Sequence, residues 1–434
     1  MRSLFLAAAF LAGCSTTAPT PPAPNGLIDD GVQSWLGIEY GQAGRWELPQ
    51  PGPDWEPLGP FTDMGPACPQ KGQPVMTEDC LFLNVFAPES PRVDGGRPVL
   101  VWFHGGGFVA NEGGDYVKSL TRDGIVAVSF NYRLGKLGFH DWAGWDESDP
   151  RNFGQADMVL ALEWVQANIA RFGGDPEDVT IMGHSAGGMS VQLMLVDPRV
   201  DGLFDKAIAH SGYAAWPFPR AYNPSDEERM RIRYAALPMD ASPEDLVNSL
   251  DAFHLPYLGG SDLPEQPLQM FRQGKSAPVP YLAGANSYDG GGTLQGAGFE
   301  PRDFLRQYAD HPAIQTAYAA DFAVSDKLAA ERLFGDMRYA YSTRETVRAH
   351  TGLSHLFLLD APDPGRTHAG HYEELFGGGP SNFRDLIVDF IKTGDHPALP
   401  NDGWLVLDPI QGVGAEPGHD DRLDTLHGLE FPQP

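Results

Sequence analysis

The stretch Val179-Thr180-Ile181-Met182-Gly183-His184-Ser185-Ala186-Gly187 decides how the rest of the chain is read. Its first four residues are apolar or β-branched, as in a strand buried on both faces. From Gly187 to Val196 the pattern is that of a helix. Between strand and helix, two glycines bracket Ser185 with one residue on either side. A chain that turns so sharply holds the serine in strained geometry, and side chains at 183 and 187 would collide with the turn. The helix beyond aims its first amides and the positive end of its dipole at the serine. A serine so placed is a candidate nucleophile.

Working outward, Pro98–Phe103 and Gly124–Phe130 are continuous apolar runs, as expected of strands inside a parallel sheet. Between Phe153 and Ala170, the residues Met158, Ala161, Leu162, Val165 and Ile169 recur at helical spacing, and Gly173-Gly174 stops the run. Ala207–Ala209 and Tyr281–Ala283 read as further strands. This alternation predicts one largely parallel sheet with helices on both faces. Pro217–Gln273 and part of Gly290–Arg348 lack that rhythm, and are expected to be helical excursions walling the sheet's upper edge.

His104-Gly105-Gly106-Gly107-Phe108 directly follows the strand that ends at Phe103, about 80 residues ahead of Ser185. Three glycines there let bare backbone amides approach a substrate oxygen. Gly106, Gly107 and Ala186 are therefore candidate oxyanion donors. A serine hydroxyl also needs a base, and an acid to orient that base. In a strand-turn-helix arrangement the order along the chain is serine, acid, histidine. Asp289, Asp310 and Asp360 are candidate acids; His350, His355, His368, His371 and His396 are candidate bases. Local chemistry favours Asp289, which follows the strand at Tyr281 and precedes Gly290-Gly291-Gly292.

The 434 residues carry 30 basic and 58 acidic side chains, a net charge of −28. A surface that acidic repels phosphate backbones, so no nucleic-acid partner is expected. With 42% hydrophobic residues the chain can bury a sizeable core. No repeat or linker divides it, and residues 31–434 are expected to form a single catalytic domain. Ahead of that domain, Arg2 and the apolar Leu4–Ala12 read as a signal peptide over residues 1–13, too short to span a bilayer. Leu11-Ala12-Gly13-Cys14 resembles a lipoprotein lipobox, in which Cys14 is lipidated, and residues 14–30 read as a Ser/Thr/Pro-rich tether. This predicts a bacterial cell-envelope protein that meets the membrane only through its lipid anchor. The two other cysteines, Cys68 and Cys80, then form an even pair in a compartment that permits a disulfide. With eleven residues between them, a bridge is worth roughly 2–3 kcal/mol in the chain-entropy account. His368 and His371 make an H-x-x-H pair without the context of a zinc site. No metal or cofactor is expected, only a small-molecule substrate.

With these residues in place, the chain resembles the carboxylesterase type B family of the α/β-hydrolase superfamily, which includes cholinesterases and para-nitrobenzyl-type esterases. Trp35-Leu-Gly-Ile-Glu-Tyr40, Glu78-Asp-Cys80-Leu-Phe-Leu-Asn-Val85, Asn131-Tyr-Arg-Leu-Gly135 and Phe172-Gly-Gly-Asp-Pro176 carry the likeness, which covers nearly all of the mature chain. The resemblance implies Asp289 as the acid, within Gly284-Ala-Asn-Ser-Tyr-Asp-Gly290, and His368 as the base, eight residues before Phe376. It implies Ser211 as a partner behind the triad, and it supports pairing Cys68 with Cys80. His184 departs from the family's usual Glu before the serine. His371 stands where a Glu follows the base, which leaves it an alternative base. The chain is short for the family, so trimmed pocket loops are expected, with Trp142, Trp145, Trp216 and Phe218 as candidate walls. The implied reaction is hydrolysis of carboxylic esters through an acyl-enzyme. The alternatives are the same triad acting on amide, carbamate, lactone or lipid substrates, and a non-catalytic binding protein.

Overall fold

The computed structural model describes residues 26–55, 59–74, 76–90, 93–139, 150–218, 241–249, 254–360, 367–377, 381–400, 403–408, 412–414, 418–427 and 429. The signal peptide, Cys14, most of the tether, Trp142 and Trp145 lie outside the described residues.

Thirteen strands are described: β1 (Leu27–Asp29), β2 (Val32–Glu39), β3 (Gly41–Gln42), β4 (Gln50–Pro51), β5 (Phe82–Pro88), β6 (Arg97–Phe103), β7 (Val126–Phe130), β8 (Gly174–His184), β9 (Lys206–His210), β10 (Tyr281–Asn286), β11 (Ser354–Leu359), β12 (Trp404–Asp408) and β13 (Gly412–Gly414). All but β3 and β4 form an 11-stranded sheet in the order β1-β2-β5-β7-β6-β8-β9-β10-β11-β12-β13. From β7 to β12 every neighbour is parallel, while β1, β2, β5 and β13 pair antiparallel at the two margins. This is the mostly parallel, helix-covered sheet of the α/β-hydrolase fold.

The apolar runs are continuous because both faces are covered. Val99, Val101 and Phe103 of β6 belong to one hydrophobic cluster, with the helices Phe153–Asn168 and Ala186–Val196. Leu100 and Trp102, which point the other way, belong to a second cluster with the helix Asn382–Thr393. All eleven residues of Ala186–Val196 are buried, as a helix apolar on every side requires.

The expected strands are present and mostly longer than their apolar cores, with β8 running from Gly174 rather than Val179. The helix after Phe153 ends at Asn168 and tightens into a 3-10 turn over Ile169–Phe172. One expectation needs correcting. Leu27–Asp29, read as the end of the tether, pairs in register with Ser34–Val32 and forms the sheet's edge. Its side chains are exposed, so only backbone pairing recruits it, and composition gives no sign of that.

Cys68 and Cys80 form a disulfide. A second tie holds the segment around residues 44–47 to the sheet. Arg133, in the loop after β7, donates to Asp157 from its own backbone N (3.0 Å), from Nε (2.9 Å) and from Nη2 (2.7 Å), and from Nη1 to the carbonyls of Gly44 and Glu47. Both side chains are buried. Removing one partner strands a desolvated charge, so Asp157→Ala should lower unfolding stability by about 3–5 kcal/mol. Urea denaturation checks this, and a loss below about 1 kcal/mol would show that the guanidinium finds another partner.

Candidate active site

Ser185 lies at the tip of the turn from β8 into the buried helix, with φ 58° and ψ −121°. No residue with a Cβ adopts that conformation without strain. Packing holds it. A Cβ on Gly187 would come within 2.0 Å of the Phe103 carbonyl, and one on Gly183 within 2.4 Å of Gly187. The Ser185 amide donates to the His210 carbonyl at the end of β9, at 2.9 Å. Both glycines of the motif are thus required by contact with β6 and with the turn itself.

The glycine loop leaves the end of β6 and lies directly on the elbow. A Cβ on Gly105 would sit 2.7 Å from the His184 carbonyl and 3.4 Å from Ser185 Cβ. Gly106 (φ 110°) and Gly107 (φ 62°) hold left-handed conformations, and a Cβ on Gly106 would strike the Ala110 carbonyl at 2.1 Å. Ala186 is the first helical residue, so its amide has no carbonyl of a preceding turn to bond. Gly105 thus lies against the elbow that carries Ser185, and Ala186 opens the helix beyond it.

Two more strands bring the acid and the histidine. Asp289 sits three residues beyond the end of β10. Its Oδ2 accepts from Ser211 Oγ and the Asn286 amide, both at 2.8 Å, and its Oδ1 lies 2.8 Å from His368 Nδ1. Asn286 Nδ2 donates to the carbonyls of Thr367 and His368, which fixes the loop that carries the histidine. Of the candidate bases, it is His368 whose Nδ1 lies at hydrogen-bond distance from Asp289. His371 is fully buried, its ring 4.2 Å from that of His184 and 4.1 Å from that of His210. His350 and His355 bond main-chain carbonyls elsewhere, and His396 lies 3.6 Å from Asp389. Of the rival acids, Asp310 is exposed, and Asp360 follows β11 with its amide on Leu407.

The rings of His184 and Tyr339 lie 4.5 Å and 4.7 Å from that of His368. Sequence reasoning found His184 and missed Tyr339, which lies in a helical excursion with no distinguishing local pattern. Ligand atoms of His184, Asp289 and His368 all lie within 4.8 Å of one another. A tetrahedral zinc ion would hold its ligand atoms about 3.3 Å apart. The 2.8 Å approach of His368 to Asp289 is a hydrogen bond instead.

Two buried histidines, His104 and His184, are kept neutral. Burial pulls His104 down to about 4, partly countered by its bond to the Gly105 carbonyl. Burial, and then the imidazoles of His371, His368 and His210, hold His184 well below the ordinary histidine range.

An α/β-hydrolase sheet that presents a strained serine, a glycine-rich loop and a bonded aspartate–histidine pair at the ends of its parallel strands defines a serine-hydrolase-like site. The chain belongs to the carboxylesterase family, whose sequence pattern matches residues 25–251. It is 33% identical to the para-nitrobenzyl esterase of Bacillus subtilis over 299 residues, 61% of each protein. It is 30% identical to the medium-chain fatty acyl-CoA hydrolase precursor of Anas platyrhynchos over 415 residues, 84% of this chain and 73% of that one. With the bile salt-activated lipase of Rattus norvegicus it shares 33% identity over 61% of its own length and 49% of the relative's. The alignments thus span from about half to three-fifths of the length of the first and last of these. A solved para-nitrobenzyl esterase structure superposes with a TM-score of 0.74 at 27% identity, over 92% of this chain and 97% of that one.

The neutral histidines predict acid lability. A histidine with a depressed folded value binds its proton more readily when the chain is unfolded. Its contribution is therefore complete above about pH 6.5 and is lost as the pH falls toward the folded value of about 4. For His104 alone this is worth roughly 3 kcal/mol. The urea midpoint should start to fall just below pH 6.5, before the carboxylates titrate. A midpoint flat down to pH 5 would contradict this account of the site.

Proposed function

We propose that the protein is a serine carboxylesterase that acts through Ser185, His368 and Asp289. The observation that carries the reading is the 2.8 Å bond between His368 Nδ1 and Asp289 Oδ1, with the His368 ring 4.5 Å from that of His184, the residue just before the strained Ser185. With Nδ1 committed to Asp289, Nε2 is the nitrogen left to take the Ser185 proton as Oγ attacks the ester carbonyl. Asp289 is itself fixed by Ser211 and Asn286, so it orients the imidazole and stabilises its protonated form. The amides of Gly106, Gly107 and Ala186 hold the oxyanion, each contributing on the order of 3 kcal/mol. The imidazolium returns its proton to the alcohol oxygen as the C–O bond breaks. Water, deprotonated by the same histidine, then hydrolyses the acyl-enzyme and regenerates Ser185. This chemistry needs no metal or cofactor. The family relatives are named for a para-nitrobenzyl ester, lipids and a fatty acyl thioester, all of which share attack on an activated carbonyl.

The Cys14 lipid anchor and an envelope location belong to the same proposal. They are supported by the lipobox-like Leu11–Cys14 and by the Cys68–Cys80 disulfide, a bond favoured in oxidising compartments. Among the described residues no helix is long and apolar enough to cross a membrane.

Two outcomes check the proposal. Ser185→Ala should reduce hydrolysis of p-nitrophenyl butyrate by at least about 10⁴-fold while the chain stays folded. Activity retained within tenfold would rule Ser185 out as the nucleophile. Cys14→Ser should move the protein from the membrane fraction to the soluble one, and unchanged fractionation would remove the anchor.

A further inference from the structure

Beside the base of the triad stands a phenol ring to which the reaction described above gives no task. Tyr339 lies in a π-helical turn, Asp336–Ala340, between the helices Asp326–Gly335 and Tyr341–Ala349, and only 1% of its surface is exposed. A π turn breaks the regular helical ladder and is found often at functional sites. The centroids of the Tyr339 and His368 rings are 4.7 Å apart, and their planes are tilted by 33°. That tilt is too small for an edge-to-face pair, and the separation is too short for rings lying side by side. The two rings therefore overlap in an offset stack, with the phenol face toward the imidazole.

The hydroxyl fixes the phenol. It is hydrogen-bonded to the side chains of Thr293 and Arg338. Thr293 Oγ1 in turn donates to the Asp289 carbonyl at 2.8 Å, so the phenol and the acid share an anchor. Among the described residues, the other ionisable groups against His368 are Asp289, bonded to Nδ1, and His184, whose ring is 4.5 Å away. Around the phenol itself stand the Arg338 guanidinium, with Cζ 5.7 Å from the Tyr339 centroid, and the Tyr213 ring, 6.0 Å from it.

A π face carries negative charge density, so it attracts a cation far more than it attracts a neutral ring. His368 is neutral before attack and becomes an imidazolium when Nε2 takes the Ser185 proton. An attraction that appears only with that charge favours the transition state over the bound substrate. Burial strengthens it, because little water competes. Arg338 repels the same charge, but it stays in place when only the face of residue 339 is altered.

We propose that Tyr339 is a positioning residue for proton transfer, its ring face stabilising the protonated form of His368. For turnover, the inference rests on the esterase reading above. The test replaces Tyr339 by 3,4,5-trifluorophenylalanine, which keeps the ring's shape and strips negative charge from its face. Tyr339→Phe and Tyr339→Leu are measured alongside. One readout is the pH profile of kcat/KM for p-nitrophenyl butyrate. The other is the titration of His368, followed by NMR of isotope-labelled histidine, which needs no turnover. The His368 signal is the one missing from His368→Gln.

Tyr339→Phe keeps the face without the hydroxyl and should match the wild type in both readouts. Fluorination weakens only the protonated form of His368. The NMR titration and the acid limb of the profile, where activity rises as that proton is lost, should both move to lower pH, by about 0.4 to 1.5 on the pH scale. The rate should fall by no more than the matching factor, roughly 30-fold at most. Tyr339→Leu should shift in the same direction, and it decides the matter if the fluorinated protein does not fold. A ring that merely fills space would lower activity and leave both curves at their wild-type pH, which overturns the proposal. An equal shift in Tyr339→Phe also overturns it, by assigning the effect to the hydroxyl. Wild type that does not hydrolyse the ester would sink the esterase reading instead. The NMR titration would then decide alone, upholding the role of Tyr339 if fluorination lowers it and overturning that role if it does not.

Discussion

The site depends on one strained turn. Ser185 adopts φ 58° and ψ −121°, a conformation costing on the order of 1–3 kcal/mol. It persists because everything around it is packed to backbone contact. Gly187 lies against the end of β6, Gly105 lies against the His184 carbonyl, and the Ser185 amide is tied to β9. A methyl group at any of these glycines would push the turn out of its seat. The fully buried helix Ala186–Val196 anchors the other side. The strain is local, and a sheet of 11 strands supplies the rigidity that sustains it.

The same sheet collects the remaining groups from distant parts of the chain. β9 ends beside Ser211, β10 beside Asp289, and the loop bearing His368 returns after β11 to bond Asn286. Because the strands are parallel, their carboxyl ends lie along one edge, where ligand sites of open α/β sheets form. Each added contact narrows the position of the His368 ring. Asp289 holds one nitrogen, Asn286 holds its backbone, and the tilted rings of His184 and Tyr339 have centroids 4.5 Å and 4.7 Å from that of His368. Positioning of this kind costs little at the moment of reaction, since it has been met in folding.

Glycine makes much of this site legible in the sequence. Gly105–Gly107, Gly183 and Gly187 each mark a place where backbone meets backbone, and their spacing alone defines the elbow and the loop. Continuous apolar runs reveal the inner strands for a similarly direct reason, since both faces of the sheet are covered. Long-range pairing is less legible. Composition favours Asp289, but nothing in periodicity chooses His368 over His371, and that choice comes from resemblance. The structure seats His368 on the acid and buries His371 between His184 and His210. The edge strand β1 and the π turn at Asp336–Ala340 stay hidden. An exposed edge strand has no apolar signature, and one extra residue in a helical turn leaves the helical pattern intact. Tyr339, which that turn brings to the His368 ring, is lost with it.

The central claim is that the strained serine is the group that attacks. Labelling the folded protein with an alkyl fluorophosphonate tests it directly, because a nucleophilic oxygen displaces fluoride and keeps the phosphonyl group. Peptide mass spectrometry of the labelled protein should find one phosphonyl adduct, on Ser185, formed in step with the loss of ester hydrolysis. An adduct on another residue, or full hydrolytic activity with no adduct at Ser185, would contradict the account.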